Sequence, residues 1–219
     1  MSDADRLLAR IAERLAAYEA RDMDDRFADF VPAAVMMPLL VKDGRLHILF
    51  TKRTQDVKHH KGQISFPGGS RDPEDASLLD CALRETEEEI GLSRDGVQVF
   101  GRLDATPVIT RYVMTPFVGK IPYPYHFTPS AIEIDSLLFL PLDAFLDPAV
   151  HSLSVNEFMG QDVPIHFYKI GDETVWGATG RVLTQFFQVC LDYVPPVYGE
   201  FLASHPGYDV PQPPDADDV

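Results

Sequence analysis

The sequence predicts a layered domain of helices and strands, α/β or α+β. Three observations carry this. The chain has 219 residues, 45% of them hydrophobic, enough for one real core. Apolar runs with strand character stand both before and after a central stretch with helical periodicity. No repeat divides the chain, so a helical bundle, a sandwich of strands alone and a solenoid are all disfavoured.

The elements follow in order. Leu7, Leu8, Ile11, Leu15 and Tyr18 recur at helical spacing, which predicts an amphipathic helix over the first twenty residues. With the charged joint Arg21–Asp29 it makes an N-terminal segment, 1–30. Val31–Val41 and Leu46–Thr51 read as strands around a turn at Lys42-Asp43-Gly44. Gln55–Ser70 has three glycines and no periodicity, and reads as a functional loop. A helix is expected over Ala76–Ile90, stopped by Gly91. Further strands are expected at Val97–Leu103, Val113–Lys120, Leu137–Leu140, Val163–Ile170 and Glu173–Trp176, and a last helix at Thr179–Leu191. Pro122–Pro129 reads as a loop rich in proline and aromatic residues. Trp176 reads as core, given its short strand. The main domain thus spans 31–194. The remainder, 195–219, is an acidic, proline-rich tail whose end is expected to be disordered.

Charge and composition exclude several function classes. The formal net charge is -15, which argues against nucleic acid and anionic membranes as partners. The two cysteines, Cys81 and Cys190, lack metal or redox spacing and read as reduced thiols. There is no signal-like apolar segment, and a cytoplasmic location is the expectation.

The informative segment is Arg84-Glu85-Thr86-Glu87-Glu88-Glu89-Ile90-Gly91. On a helix, Glu89 lies about 40° from Glu85, and Glu88 about 60° to its other side. The three carboxylates therefore share one flank, beside an apolar face of Leu79, Ala82, Leu83, Thr86 and Ile90. Repulsion between Glu85 and Glu89 is relieved by a divalent cation. Oxygen ligands without Cys or His select magnesium or manganese over zinc. Taken alone, the helix fits either such a cation site or a solvated acidic face.

Its flanks decide between the two. Phe66-Pro67-Gly68-Gly69 precedes the helix, and Arg84-Glu85-x-x-Glu88-Glu89-x-Gly91 ends it. This resembles the Nudix box, G-x5-E-x7-R-E-U-x-E-E-x-G-U. Asp75 stands for the first glutamate with one extra residue before Arg84, and Thr86 stands at an aliphatic position. The resemblance implies a mixed sheet sandwiched between helices, with a loop–helix–loop motif. It implies Mg2+ or Mn2+ held by Glu85 and Glu89, with Glu88 as a further ligand or water-orienting group. The Gly69 carbonyl would complete the shell, and Arg84 would orient a carboxylate.

Upstream, Leu49-Phe50-Thr51-Lys52-Arg53-Thr54, Lys58 and Gly62-Gln63-Ile64-Ser65-Phe66-Pro67-Gly68-Gly69 resemble the second signature of coenzyme A pyrophosphatases, L-L-T-x-R-S-x3-R-x3-G-x3-F-P-G-G. The spacing fits without a gap. Phe50, Thr54 and Lys58 depart from it, and lysine lacks the bidentate fork of arginine. Thr106-Pro107, Thr115–Gly119, Glu133-Ile134 and Trp176–Arg181 extend the likeness.

The resemblance implies hydrolysis of coenzyme A or its thioesters, with Arg53, Lys58, Gly62, Gln63 and Phe66 on the substrate. Glu133 is a candidate general base beside Glu88. Between Lys42 and Lys61, six basic residues against two acids suggest an anion dock, with Lys42 and Arg45 expected to be merely solvated. Two rivals stand beside this reading. One is a Nudix hydrolase for ADP-ribose, an NDP-sugar or a dinucleoside polyphosphate. The other is an inactive nucleotide sensor, against which all three box carboxylates argue.

Overall fold

The computed structural model describes residues 2–23, 25–54, 62–158 and 160–208. Lys58 and the end of the tail, 209–219, lie outside them. Four helices are described: α1 (Asp3–Ala17), α2 (Leu78–Ile90), α3 (Ala178–Leu191) and α4 (Pro196–Ser204). The strands are β1 (Val31–Lys42), β2 (Arg45–Arg53), β3 (Ile64–Ser65), β4 (Gly68–Ser70), β5 (Gln98–Arg102), β6 (Thr106–Val108), β7 (Tyr112–Lys120), β8 (Ile134–Pro141), β9 (His151–Phe158), β10 (Gln161–Ile170) and β11 (Glu173–Trp176).

The larger sheet is mixed, as expected. Along its path the order is β3-β2-β1-β7-β5, with β4 on β1, β6 on β7 and β8 on β2. β1 runs parallel to β7 and antiparallel to β2 and β4. Both faces of this sheet are covered, and the alternation along β2 shows how. Ile48 and Phe50 enter the main core with Leu8, Ile11 and Leu15 of α1 and Val182, Phe186 and Phe187 of α3. Leu49 points the other way, to Ile90 of α2 with Leu40 and Leu92. A second patch under α2 joins Cys81 and Ala82 to Ala34, Met36 and Phe117. The period-2 alternation of a strand thus sends neighbouring side chains to two helical layers.

Three regions depart from the sequence reading. The stretch Gln55–Ser70 carries two short strands, β3 and β4, within its described part. Their pairing with β2 and β1 supplies order that three glycines and no periodicity could not announce. β9 is a further strand, whose alternation of small polar and apolar residues is weak; it closes a separate sheet, β11-β10-β9. Beyond Pro195, α4 buries Tyr198 and Phe201, so the beginning of the proline-rich tail is helical. Proline suits the first turn of a helix, where its missing N–H costs nothing.

Trp176 corrects an expectation. It is 41% exposed and stacks on Phe167, with ring centroids 5.8 Å apart and planes 4° from parallel. The neighbouring Val175, not the tryptophan, turns into the core. Among the described residues no helix is long and apolar enough to cross a membrane.

Candidate active site

α2 begins at Ser77, whose side chain accepts from the Asp80 N–H, and ends at Gly91 in the left-handed region, φ 69°. These caps set the helix against β4. There Gly69 is needed for close approach: a Cβ on it would lie 2.5 Å from the Glu85 carboxylate. A Cβ on Gly68 would meet the Ala34 carbonyl at 2.4 Å. The two glycines let the helix carboxylates lie directly on backbone.

Arg84 holds the first half of the motif. Its Nε and Nη2 donate to the two Asp75 oxygens, each at 2.9 Å. Its Nη1 donates to Glu85 at 2.8 Å and Glu88 at 3.1 Å. Asp75 is buried and also accepts from the Asp72 N–H. The Arg84 guanidinium holds the Asp75 carboxyl well below the usual carboxylate range. Asp75 thus takes a defined place in the motif: it is the buried anchor of Arg84, and the extra residue is absorbed before the helix.

Glu89 is the unusual group. It is 4% exposed, and its Oε2 is buried with no hydrogen-bond partner among the described residues. Burial pushes its carboxyl up to about 8, against the pull of Arg53. Glu85 is raised by the same cause. Arg53 extends from the end of β2 toward both Glu89, 3.7 Å away, and Glu133, 3.9 Å away.

The backbone brings Glu133 here. Ser130 N–H donates to the Glu89 carbonyl, Glu133 N–H to the Ser130 carbonyl, and Thr54 N–H to the Glu133 carbonyl. The loop after the aromatic segment is therefore tied to both the end of α2 and the end of β2. Sequence distance concealed this tie, which depends on β8 pairing beside β2.

The expected site residues separate into groups. Glu85, Glu88, Glu89, Arg84, Gly69, Arg53 and Glu133 come together. Gly62 and Gln63 adjoin Arg53, whose N–H donates to the Gln63 carbonyl. Lys58 lies outside the described residues. Phe66 is corrected: it is 3% exposed and stacks on Phe50, with centroids 5.0 Å apart, so it packs the core and does not face substrate.

The anion dock is corrected as well. Lys52 pairs with Glu173 at 2.7 Å, Arg45 with Asp143 at 2.7 Å, and Lys42 lies over Tyr123 and Phe139. Lys52 is thus committed to an acid, Arg45 is exposed at the surface as expected, and Arg53 alone of the described basic residues of that segment lies beside Glu89; Lys58 and Lys61 lie outside the described residues.

The donor chemistry fits a hard divalent cation: the acidic side chains here offer carboxylate oxygens, and one of these, Glu89 Oε2, is buried without a hydrogen-bond partner among the described residues. Among the described residues no three metal-ligating side chains are already gathered into a cage. The reason is visible in the pairing, since Arg84 draws Glu85 and Glu88 to one side while Arg53 stands by Glu89 and Glu133.

A mixed sheet between helices, carrying this glutamate helix against a double glycine, defines a hydrolase of the Nudix class. The NUDIX domain model matches residues 30–148, and the chain belongs to the Nudix family. Members act on small nucleotide derivatives and generally use divalent metals such as Mg2+.

Individual relatives and one solved structure are similar to this chain over much of its length. The peroxisomal coenzyme A diphosphatase NUDT7 of Mus musculus is 35% identical over 139 residues, which are 64% of this chain and 59% of that protein. A Nudix hydrolase NudL of Photorhabdus laumondii, itself uncharacterized, is 34% identical over 157 residues, 71% of this chain and 83% of that protein. A MutT/nudix family protein from Enterococcus faecalis shares the fold, with TM-score 0.53 at 16% identity over 92% of this chain and 80% of that one.

Proposed function

We propose that this Nudix hydrolase cleaves the pyrophosphate bond of coenzyme A or an acyl-coenzyme A, giving 3′,5′-ADP and 4′-phosphopantetheine or its acyl form. The observation that carries the reading is the position of Arg53. The segment that resembles the coenzyme A signature delivers its arginine to the Nudix carboxylates, 3.7 Å from Glu89. The mouse relative, a coenzyme A diphosphatase by name, supports the same substrate class.

In this reading Glu85 and Glu89 hold Mg2+ or Mn2+, with Glu88 and the Gly69 carbonyl completing the shell. The cation, when bound, neutralises pyrophosphate oxygens and acidifies water. Arg84, fixed by Asp75, keeps Glu85 and Glu88 at their stations. Glu133 is exposed at the rim and accepts the proton of the attacking water, since a base must lie within hydrogen-bond reach. Arg53 faces the substrate phosphates, beside Gly62 and Gln63; Lys58, expected to share that role, lies outside the described residues. Water attacks phosphorus, the anhydride P–O bond breaks, and the leaving phosphate departs on its half of the molecule.

The test is product identification by mass spectrometry with coenzyme A, dephospho-coenzyme A, ADP-ribose and a dinucleoside polyphosphate, each with magnesium and with chelator. Release of 3′,5′-ADP from coenzyme A, with the highest kcat/KM of the panel, is expected. Preference for ADP-ribose or the dinucleoside polyphosphate would replace the substrate while keeping the reaction class. No hydrolysis of any of the four would sink the reading.

A further inference from the structure

The site distributes its charges unevenly. Five acids, Asp75, Glu85, Glu88, Glu89 and Glu133, surround two arginines. Arg84 is committed by short hydrogen bonds to three of those acids. Arg53 is held differently. Its distances to Glu89 and Glu133, 3.7 and 3.9 Å, are those of charges in proximity and not of hydrogen bonds. Among the described residues its buried Nε has no hydrogen-bond partner, and neither has Glu89 Oε2. A planar fork that matches a carboxylate bidentately is thus placed beside one without closing on it. Such a pair leaves polar groups unsatisfied on both sides, a costly arrangement in a buried place.

We infer that Arg53 is a resident counter-charge of the metal pocket, which competes with the divalent cation for Glu89 and Glu133 and lowers the metal affinity of the substrate-free enzyme. The inference rests on the metal reading above and not on the identity of the substrate. Its physical basis is mutual exclusion. A guanidinium within 4 Å of a desolvated carboxylate stabilises the anion, and it also repels any second cation brought to the same oxygens. When the cation enters, Arg53 loses its attraction to Glu89 and is free to turn toward an incoming anion. The phosphate oxygens of the substrate are the anions at hand. Metal and substrate then favour each other's binding, because each removes what obstructs the other.

The experiment measures Mn2+ binding to the full-length, substrate-free enzyme by the electron paramagnetic resonance signal of free Mn2+. Wild type is compared with Arg53→Gln, Arg53→Lys and Arg45→Gln. The last removes the same unit charge at the exposed pair with Asp143, away from the site. Arg53→Gln is expected to bind Mn2+ roughly tenfold more tightly, the size of a discounted, partly exposed charge interaction. Arg53→Lys, which keeps the charge but cannot face two carboxylates at once, should tighten binding less. Arg45→Gln should change it less than twofold, as screening of a distant surface charge requires.

Unchanged or weaker Mn2+ binding in Arg53→Gln, with a native circular dichroism spectrum, would overturn the inference and make Arg53 a scaffold. Should Arg53→Gln not fold, unchanged or weaker binding in Arg53→Lys overturns it equally. A wild-type enzyme that binds no Mn2+ would overturn the metal reading itself, a result distinct from either.

Discussion

Two regions of this molecule bury ionisable groups, and they meet the cost in opposite ways. In the candidate active site, the half-buried Glu85 and the buried Glu89 lie beside Arg84 and Arg53 respectively, with Glu89 only loosely paired. Between the small sheet and α3, His151 Nε2 lies 3.1 Å from His166 Nδ1, which is 3.0 Å from Thr184 Oγ1. Tyr168 OH closes the chain to Thr184 at 2.7 Å. Among the described residues no ion pair or hydrogen bond to a charged side chain holds these two histidines; burial pushes His151 down to about 4 and, with smaller contributions from His151 and Arg181, His166 to about 3. Burial favours the neutral form of both histidines; His166 Nδ1 faces His151 and Thr184, while His151 Nδ1 is buried with no hydrogen-bond partner among the described residues. The carboxylates retain an unsatisfied oxygen. Each region leaves a buried polar atom unsatisfied, but the histidines have only neutral hydrogen-bond partners, whereas the buried glutamates lie within reach of arginine side chains.

The largest effects should come from the charged region. Glu85→Gln and Glu89→Gln are each expected to lower kcat on the order of 10²-fold or more, because each removes a negative charge from the metal-binding set. Thermal stability in chelator should be unchanged or higher, since a desolvated acid is replaced by a neutral amide. Near-normal rates in both variants would remove the metal role from this helix.

Asp75→Asn should cost about 2 kcal/mol of stability, as it weakens two charged hydrogen bonds to Arg84. It should also slow turnover, since Arg84 carries Glu85 and Glu88. A denaturant melt that shows loss of stability with wild-type kcat would restrict Asp75 to folding.

In the neutral region, Thr184→Val keeps the shape and removes the oxygen shared by Tyr168 and His166. The expected loss is about 1.5 kcal/mol with kcat unchanged. A fall in kcat larger than the loss of folded protein would show that the two regions are coupled.

The finest comparison is pH dependence in chelator, where the two regions have opposite signs. Glu89 has a folded-state value raised to about 8 from 4.5. Its contribution is fully present below 4.5 and is lost as pH rises toward 8. The histidines have folded-state values depressed from 6.5 to about 4 and about 3. Their contribution is present above 6.5 and is lost as pH falls toward those values. Stability should therefore decline on both sides of a maximum near pH 6. In Glu89→Gln the alkaline decline should shrink while the acid one stays. An unaltered alkaline limb, followed by denaturant midpoints across pH, would assign that decline to other groups.

What the sequence determined by itself was local. Helical spacing placed three carboxylates on one flank of α2, and Gly91 marked its end, while the start at Ser77 came from the structure. Fixed motif spacing paired that helix with Gly68-Gly69. Apolar runs around the turn at Lys42-Asp43-Gly44 marked β1 and β2 as strands. These are readings of backbone periodicity and short-range geometry, which a sequence states directly.

The tertiary structure decided what depends on long-range closure. It drew Glu133 to Arg53 through the pairing of β8 with β2. It made Asp75 the anchor of Arg84, sent Phe66 into the core and turned Trp176 outward. It matched Lys52 and Arg45 with acids more than 90 residues away in sequence. It also created the buried histidine pair, of which neither His151 nor His166 gave any sign. The physical reason is that a side chain's burial and its counter-charges are properties of the elements packed against it. Those elements come together only when the sheet pairs and the helices close over it.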